Sequence, residues 1–200
     1  MLMSEKPYIV IATGCAGTGK TLLASHAGVN KLAEKKVNKL VVTRPAVSVD
    51  EQHGFLPGTL EKKMEPWTRP IFDALSQHYT RSKIDTMLKD NIIEICPLAY
   101  MRGRTFENAW IICDEAQNMT VNQMLMVLTR IGKDSKIVIT GDPDQYDRGF
   151  FKNGLTDLIE RIGYHSCVDN IELIEFTESD VERHPVIPKI IEMYKSDIVM

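Results

Sequence analysis

The amino-acid sequence predicts an α/β fold with a doubly wound, mainly parallel β-sheet in a single domain. Six short apolar runs, most of them continuous in isoleucine and valine, recur along the 200 residues, and segments of helical periodicity lie between them. Continuous rather than alternating apolar character is typical of parallel strands that helices cover on both faces. The predicted strands are residues 8–13, 39–43, 92–96, 110–113, 136–140 and 171–176.

Three helices are predicted between these strands. After Lys20, the apolar residues Leu22, Val29 and Ala33 share one helical face, with Leu23 and Ala27 beside it. Thr120 and Gln123 predict a capping box at the start of the second helix. The apolar positions of the second and third helices are 121, 124, 125 and 128, then 155, 158, 159 and 162.

Residues 44–68 are predicted to form a long loop, because three prolines and two glycines fall within them. A loop of this length is uncommon inside a compact domain unless it serves a function. We therefore expect this segment to be functional.

The overall charge and the cysteines exclude several classes of protein. Lys and Arg number 24 against 27 Asp and Glu, and the net charge of -3 argues against a broadly basic nucleic-acid binder, although a local basic groove remains open. The four cysteines form no C-x-x-C pair, so we expect neither a zinc site nor a disulfide framework. Apolar stretches are too short for a membrane helix or a signal peptide, and we expect a cytoplasmic protein.

A glycine-rich segment between the first strand and the first helix carries the clearest chemistry. It fits the phosphate-binding pattern G-x-x-x-x-G-K-[ST]. Glycines let backbone N–H groups curl around phosphate oxygens, and the following helix points its positive end at the same anion. We expect Lys20 to reach the β- and γ-phosphates and Thr21 to hold Mg²⁺. The predicted nucleotide-binding residues are Gly14, Cys15, Ala16, Gly17, Thr18, Gly19, Lys20 and Thr21.

Two acidic residues follow the predicted strand at 110–113. Asp114, at the carboxyl end of that strand, is predicted to hold Mg²⁺, which keeps several waters and takes few protein carboxylates. Glu115 is predicted to polarise an attacking water. A solvated acidic turn is the alternative, but after a phosphate-binding loop the two acids satisfy separate needs of hydrolysis.

The segment Thr140-Gly-Asp142-Pro-Asp-Gln145 lies at the end of another predicted strand. The Gln145 amide has both a donor and an acceptor, so it could contact the γ-phosphate and the attacking water together. An ordinary Gly-Asp-Pro turn remains the alternative for the two aspartates.

Four arginines are candidates for contacting the transferred phosphoryl group, whose oxygens carry the negative charge of the transition state. They are Arg44, Arg102, Arg104 and Arg183. Position along the chain favours Arg102 and Arg104, after a strand, and Arg183, before a C-terminal helix. Arg183 is the predicted catalytic arginine.

Together these segments resemble the PhoH family of P-loop ATPases. The resemblance extends from residue 8 to about residue 195. The phosphate loop and the Asp114-Glu115 pair occur in many nucleotide-binding proteins. The spacing of Arg44-Pro-Ala-Val47 to Gly54-Phe-Leu-Pro-Gly58 and the segment Arg102-Gly-Arg-Thr105 are specific to this family. Besides the phosphate loop, the segments that carry the resemblance are Thr43-Arg-Pro-Ala-Val47, Gly54-Phe-Leu-Pro-Gly58 with Glu61-Lys62, Met101-Arg-Gly-Arg-Thr105, Asp114-Glu-Ala-Gln-Asn118, Gly141-Asp-Pro-Asp-Gln145 and Asp180-Val-Glu-Arg-His-Pro185.

The resemblance implies a RecA-like core similar to one motor domain of superfamily-one helicases. In such a core the strand that ends at Gly141 lies between the phosphate-loop strand and the Asp114 strand, which would place Gln145 beside the γ-phosphate. It also implies ATP and Mg²⁺ as ligands, coupling to RNA or single-stranded nucleic acid, and a homo-oligomer such as a hexameric ring. Because one lobe is present where a motor uses two, we expect active sites at subunit interfaces.

Relatives often carry an N-terminal domain, but seven residues precede the first predicted strand here, so we expect no such domain. We likewise expect the upstream segment through which relatives could read adenine to be absent, so these residues do not predict a preference for ATP over other nucleotides.

Three functions are compatible with these residues. The first is an ATPase that remodels or moves along nucleic acid. The second is a small-molecule phosphotransferase, against which Glu115, Gln145 and the lack of an arginine-rich lid argue. The third is a slowly hydrolysing ATP-dependent switch that acts on a protein partner, with residues 44–68 as the switch and Phe55 and Trp67 as contacts.

Overall fold

The computed structural model describes residues 1–45, 60–145, 153–165 and 169–182 together with Val186 and Met193, and for residues 60–67 it describes the backbone alone. In this part of the chain, six strands form one sheet in the order β3-β2-β4-β5-β1-β6, and all neighbours are parallel. All six predicted strands are confirmed, and each end agrees to within one residue. The strands are β1 (Ile9–Thr13), β2 (Lys39–Thr43), β3 (Ile93–Ile95), β4 (Ala109–Cys113), β5 (Lys136–Gly141) and β6 (Ile171–Glu175).

Five α-helices are described, and they cover both faces of the sheet. The first three pack on one face against Leu40, Trp110 and Val138, and the last two pack on the other face against Ile111 and Ile137. The central strands are therefore buried on both sides, which explains their continuous apolar sequences. The helices are α1 (Lys20–Ala33), α2 (Leu60–Ser76), α3 (Arg81–Lys89), α4 (Val121–Leu128) and α5 (Gly154–Tyr164).

The predicted buried face of α1 is confirmed for Val29 and wrong for Leu22 and Ala33, which are exposed. Leu22 and Leu23 are 45% and 47% exposed, whereas Ala24, Ala27 and Gly28 are buried. A Cβ atom at Gly28 would lie 2.5 Å from the Trp110 indole, so small residues let α1 approach the sheet closely. The close packing, rather than the bulk of the leucines, decides which face turns inward.

The predicted loop at 44–68 is wrong over its last part, because α2 begins at Leu60. The helix continues through Pro66 and Pro70, and its second half buries Ile71, Ala74 and Leu75 against the α1 face of the sheet. Burial of these side chains outweighs the helix-breaking tendency of proline. Residues 46–59, including Phe55, lie outside the described residues, and Trp67 lies where the backbone alone is described.

The capping box of α4 is confirmed. Thr120 Oγ1 accepts a hydrogen bond from the Gln123 backbone N–H, and Gln123 Oε1 accepts one from the Thr120 backbone N–H. None of the helices in the described ranges combines the length and apolar character that crossing a bilayer requires.

The strand order decides what meets at the carboxyl edge of the sheet. β5 lies between β1 and β4, as the resemblance implied. The segments that follow these three strands therefore converge at one edge, where ligands bind in open α/β sheets.

Candidate nucleotide-binding site

A cavity of about 440 Å³ lies at the carboxyl ends of β1, β4 and β5. The phosphate loop, the acidic pair and the turn after β5 all contribute to it, and α2 closes one side. The lining residues are Ala16, Gly17, Gly19, Lys20, Thr21, Leu22, Pro70, Asp73, Asp114, Glu115, Gly141, Asp142 and Gln145.

The glycines of the phosphate loop adopt backbone conformations that other residues rarely reach. Gly14, Gly17 and Gly19 have φ values of 135°, 92° and 77°. At Gly14 a Cβ atom would also lie 2.3 Å from the Phe176 carbonyl oxygen, since the chain beyond β6 crosses there. The loop therefore takes its shape from glycine and from the neighbouring strand together.

The amino end of α1 leaves its backbone donors available to an anion. Gly19 caps the helix without a side-chain hydrogen bond to the first turn. The first backbone N–H groups of an α-helix have no partner within the helix, and they carry the positive end of its dipole. This end lines the cavity, so it suits a bound phosphate.

The Lys20 ammonium group lies against the phosphate loop. Its Nζ atom donates to the carbonyl oxygens of Gly14 and Cys15 at 2.6 and 2.7 Å, and to Thr18 Oγ1 at 3.2 Å. Burial lowers the pKa of Lys20, while the negative charges of Asp142 and other nearby acidic groups act in the opposite direction. The ammonium group thus lies where it could exchange these oxygens for those of a phosphate.

Asp114 connects the three strand ends through one carboxylate oxygen. Its Oδ1 atom accepts hydrogen bonds from Thr21 Oγ1 at 2.8 Å and from Thr140 Oγ1 at 2.6 Å. Its Oδ2 atom lies 3.8 Å from Arg44 Nη1. A hydroxyl and a carboxylate are oxygen ligands of the kind that Mg²⁺ takes, so Thr21 and Asp114 fit a magnesium site.

Glu115 has a different environment from its neighbour Asp114. Its backbone is left-handed, with φ of 53°, and its Oε2 atom accepts a 2.6 Å hydrogen bond from Gln117 Nε2. Its other oxygen, Oε1, lies 3.6 Å from Arg44 Nη2. A non-glycine residue in this conformation has a local energetic cost, and such residues are often found at functional sites.

Gln145 lines the same cavity from its exposed rim. The turn before it closes on Asp142, whose Oδ1 atom accepts from the Asp144 backbone N–H and whose carbonyl oxygen accepts from the Gln145 backbone N–H, both at 3.1 Å. The structure thus brings Gln145 to the same cavity as Lys20 and Glu115.

The arginines are not arranged as their positions along the chain suggest. Arg104 donates to both Glu94 carboxylate oxygens, at 2.5 and 2.8 Å, and its guanidinium carbon lies 4.6 Å from the centre of the Phe106 ring. Arg104 thus has a structural role on β3, and Arg102 is exposed. Arg44 is the candidate that contacts the acidic pair, and Arg183 lies outside the described residues.

Sequence reasoning missed several residues of this site. Thr140 and Gln117 lie inside segments already singled out, so their polar side chains were a signal that could have been followed. Pro70 and Asp73 had no such signal, because α2 reaches the cavity only through tertiary packing.

Comparison with known proteins identifies related sequences. A family model described as "PhoH-like protein" matches residues 1–195. A PhoH-like protein of Bacillus subtilis (strain 168) is 46% identical over 188 residues, which are 93% of this chain and 58% of that protein. A PhoH-like protein of Mycobacterium tuberculosis (strain H37Rv) is 45% identical over 187 residues, covering 93% and 52%. Protein PhoH of Escherichia coli (strain K12) is 39% identical over 194 residues, covering 95% and 54%. The chain thus spans little more than half the length of these relatives.

Proposed function

Since this chain belongs to the PhoH-like family, we propose that it is a Mg²⁺-dependent ATPase whose hydrolysis is coupled to RNA or other single-stranded nucleic acid. Family membership and the phosphate loop together make it a P-loop protein of the nucleotide-binding type.

One observation carries the proposal. Thr21 and Asp114 share a hydrogen bond at the carboxyl edge of the sheet, and Glu115 lines the same cavity beside them. A phosphotransferase would need the first two residues for its metal, but its substrate hydroxyl would replace the water that Glu115 would act on. The second acid therefore favours hydrolysis over transfer to a small molecule.

Each group of cavity residues would have a separate role in hydrolysis. Lys20 and the N–H groups at the start of α1 would bind the phosphates. Mg²⁺ held by Thr21 and Asp114 would neutralise charge on the phosphate oxygens. Glu115 would accept the proton of the attacking water, and Gln145 would orient that water.

We further propose that the protein works in the cytoplasm as a homo-oligomer, such as a hexameric ring, with active sites at subunit interfaces. Within the described part of the chain no arginine lines the cavity, and Arg44 faces the acidic pair. An arginine from a neighbouring subunit would supply the missing positive charge, and Arg183 is the proposed donor. Turnover per site should then rise with protein concentration, and a constant value would contradict the shared site.

The test is phosphate release from ATP with Mg²⁺, measured with and without single-stranded RNA. Lys20→Ala serves as the blank, and GTP serves as the alternative substrate. Stimulation by RNA in the wild type alone supports the proposal. Nucleotide binding without turnover, unchanged by RNA, would instead favour the ATP-dependent switch that acts on a protein partner.

A further inference from the structure

Gln117 forms a buried bridge between two parts of the candidate site. It is 2% exposed and lies in the 3₁₀ turn that follows β4. Its Nε2 atom donates to Glu115 Oε2 at 2.6 Å, and its Oε1 atom accepts from the Asp142 backbone N–H at 3.1 Å. A carboxylate that accepts and a backbone N–H that donates require this orientation of the amide.

The backbone at Gly141 and Glu115 leaves space for the Gln117 side chain. A Cβ atom at Gly141 would lie 2.7 Å from Gln117 Oε1, so a glycine is needed where the amide passes the end of β5. Glu115 itself is held in the left-handed conformation. The backbone conformations of Gly141 and Glu115 therefore both allow the hydrogen bonds of Gln117.

We propose that Gln117 is a positioning residue for hydrolysis, which orients the Glu115 carboxylate and connects it to the turn that ends at Gln145. This inference rests on the proposed ATPase function and goes beyond it, because Gln117 itself does not line the cavity. Gln117 would act through Glu115 and not on the nucleotide.

The bridge decides which carboxylate oxygen of Glu115 is available. Oε2 accepts from the Gln117 amide, so Oε1, which lies 3.6 Å from Arg44 Nη2, is the oxygen that would meet the attacking water. Without the amide, the carboxylate could rotate about its side-chain torsions, and its direction would no longer be set. A general base that is misdirected by a small angle loses much of its effect, whereas the binding of phosphates is unchanged.

The second hydrogen bond of Gln117, to the Asp142 backbone N–H, connects it to the turn after β5. The Asp142 backbone N–H donates to Gln117, and the turn that follows Asp142 leads directly to Gln145. One buried amide therefore fixes the position of Glu115 relative to the turn that carries Gln145, and these are the two residues proposed to contact the attacking water. Such networks depend on every member being satisfied.

The test uses Gln117→Met, which keeps the approximate volume of the side chain and removes both polar groups. We expect kcat for ATP to fall by about tenfold to hundredfold, with the dissociation constant for ATP unchanged within about twofold. Gln77→Met, the same change at an exposed position of the chain, is the matched control and should equal the wild type. Thermal midpoints identify any variant that fails to fold. If Gln117→Met does not fold, Gln117→Asn replaces it in the test. This variant keeps the amide, but its side chain is too short to reach both partners.

A double-mutant cycle with Glu115→Gln separates positioning from packing. If Gln117 acts through Glu115, then Gln117→Met lowers kcat in the wild type but has little further effect in the Glu115→Gln background. Equal losses in both backgrounds, or an unchanged kcat in Gln117→Met, would overturn the inference while the ATPase function stands. If the wild type itself does not hydrolyse ATP under any condition, the proposed function fails and the inference falls with it.

Discussion

Thr21 and Asp114 are 93 positions apart in the chain, yet the Thr21 hydroxyl donates a 2.8 Å hydrogen bond to the Asp114 carboxylate. Thr140 donates to the same oxygen at 2.6 Å. The carboxylate therefore connects the phosphate loop, the end of β4 and the end of β5 at a single point. This connection forms the part of the cavity that is proposed to bind Mg²⁺.

Asp114→Asn should weaken binding of the metal. The amide nitrogen cannot act as a Mg²⁺ ligand and has no negative charge, so the Mg²⁺ concentration needed for half-maximal nucleotide binding should rise by about tenfold or more. Titration of a fluorescent ATP analogue with Mg²⁺ measures this. Asp134→Asn removes an exposed carboxylate and serves as the control. Equal Mg²⁺ dependence in both variants would argue against Asp114 as a ligand.

Arg44→Ala should strengthen binding of a divalent cation in the absence of nucleotide. Its guanidinium group lies within 3.8 Å of Asp114 and 3.6 Å of Glu115, so it competes with a cation for the same charges. We expect the dissociation constant for Mn²⁺ to fall by about threefold to tenfold, measured by titration calorimetry. Arg44→Lys keeps the positive charge and should remain close to the wild type. Weaker Mn²⁺ binding by Arg44→Ala would contradict this account.

Arg104→Met should lower stability and leave ATP turnover unchanged, in contrast to an arginine that contacts phosphate. The Arg104 guanidinium, helped by Lys39, holds the pKa of Glu94 at about 2 against an ordinary value of 4.5, and burial acts in the opposite direction. Loss of the partly exposed pair should cost about 1–2 kcal/mol of the free energy of unfolding. Urea denaturation measures this, and Arg102→Met, at an exposed site, is the control.

The same pair predicts a pH dependence. Since the folded-state pKa of Glu94 is below its unfolded value, its contribution to stability is present above pH 4.5 and is lost as pH falls through about 2. Arg104→Met should lose less stability than the wild type over this interval. Parallel curves for the two proteins would show that the pair contributes nothing measurable.

Gly14→Ala should destabilise the fold more than Gly103→Ala. The added methyl group at position 14 would lie 2.3 Å from the Phe176 carbonyl oxygen, whereas nothing lies within 4 Å at position 103. The φ of 77° at Gly103 lies near the left-handed region, which alanine reaches at a cost of about 1 kcal/mol, whereas the φ of 135° at Gly14 lies outside it. Backbone strain and the clash therefore both act at position 14, and unfolding free energies should differ by about 2 kcal/mol or more. Equal effects would show that the loop and the chain near Phe176 move to accept the methyl group.

Local patterns predicted the strands well, because buried isoleucine and valine runs report directly on a sheet covered on both faces. They failed for α2, where prolines indicate a loop but the burial of Ile71, Ala74 and Leu75 decides the outcome. They also failed for Leu22 and Leu23 of α1, because the packing of Gly28 against Trp110 is invisible in a one-dimensional pattern.

The phosphate loop, the acidic pair and the alternation of strands and helices are predictable from local sequence, since each depends on residues that are neighbours in the chain. Long-range packing, in contrast, places Arg44 opposite the acids and pairs Arg104 with Glu94. It also decides that Gln117 joins Glu115 to Asp142. The physical reason is that these contacts depend on the strand order and on side-chain packing, which bring distant residues to the same edge of the sheet.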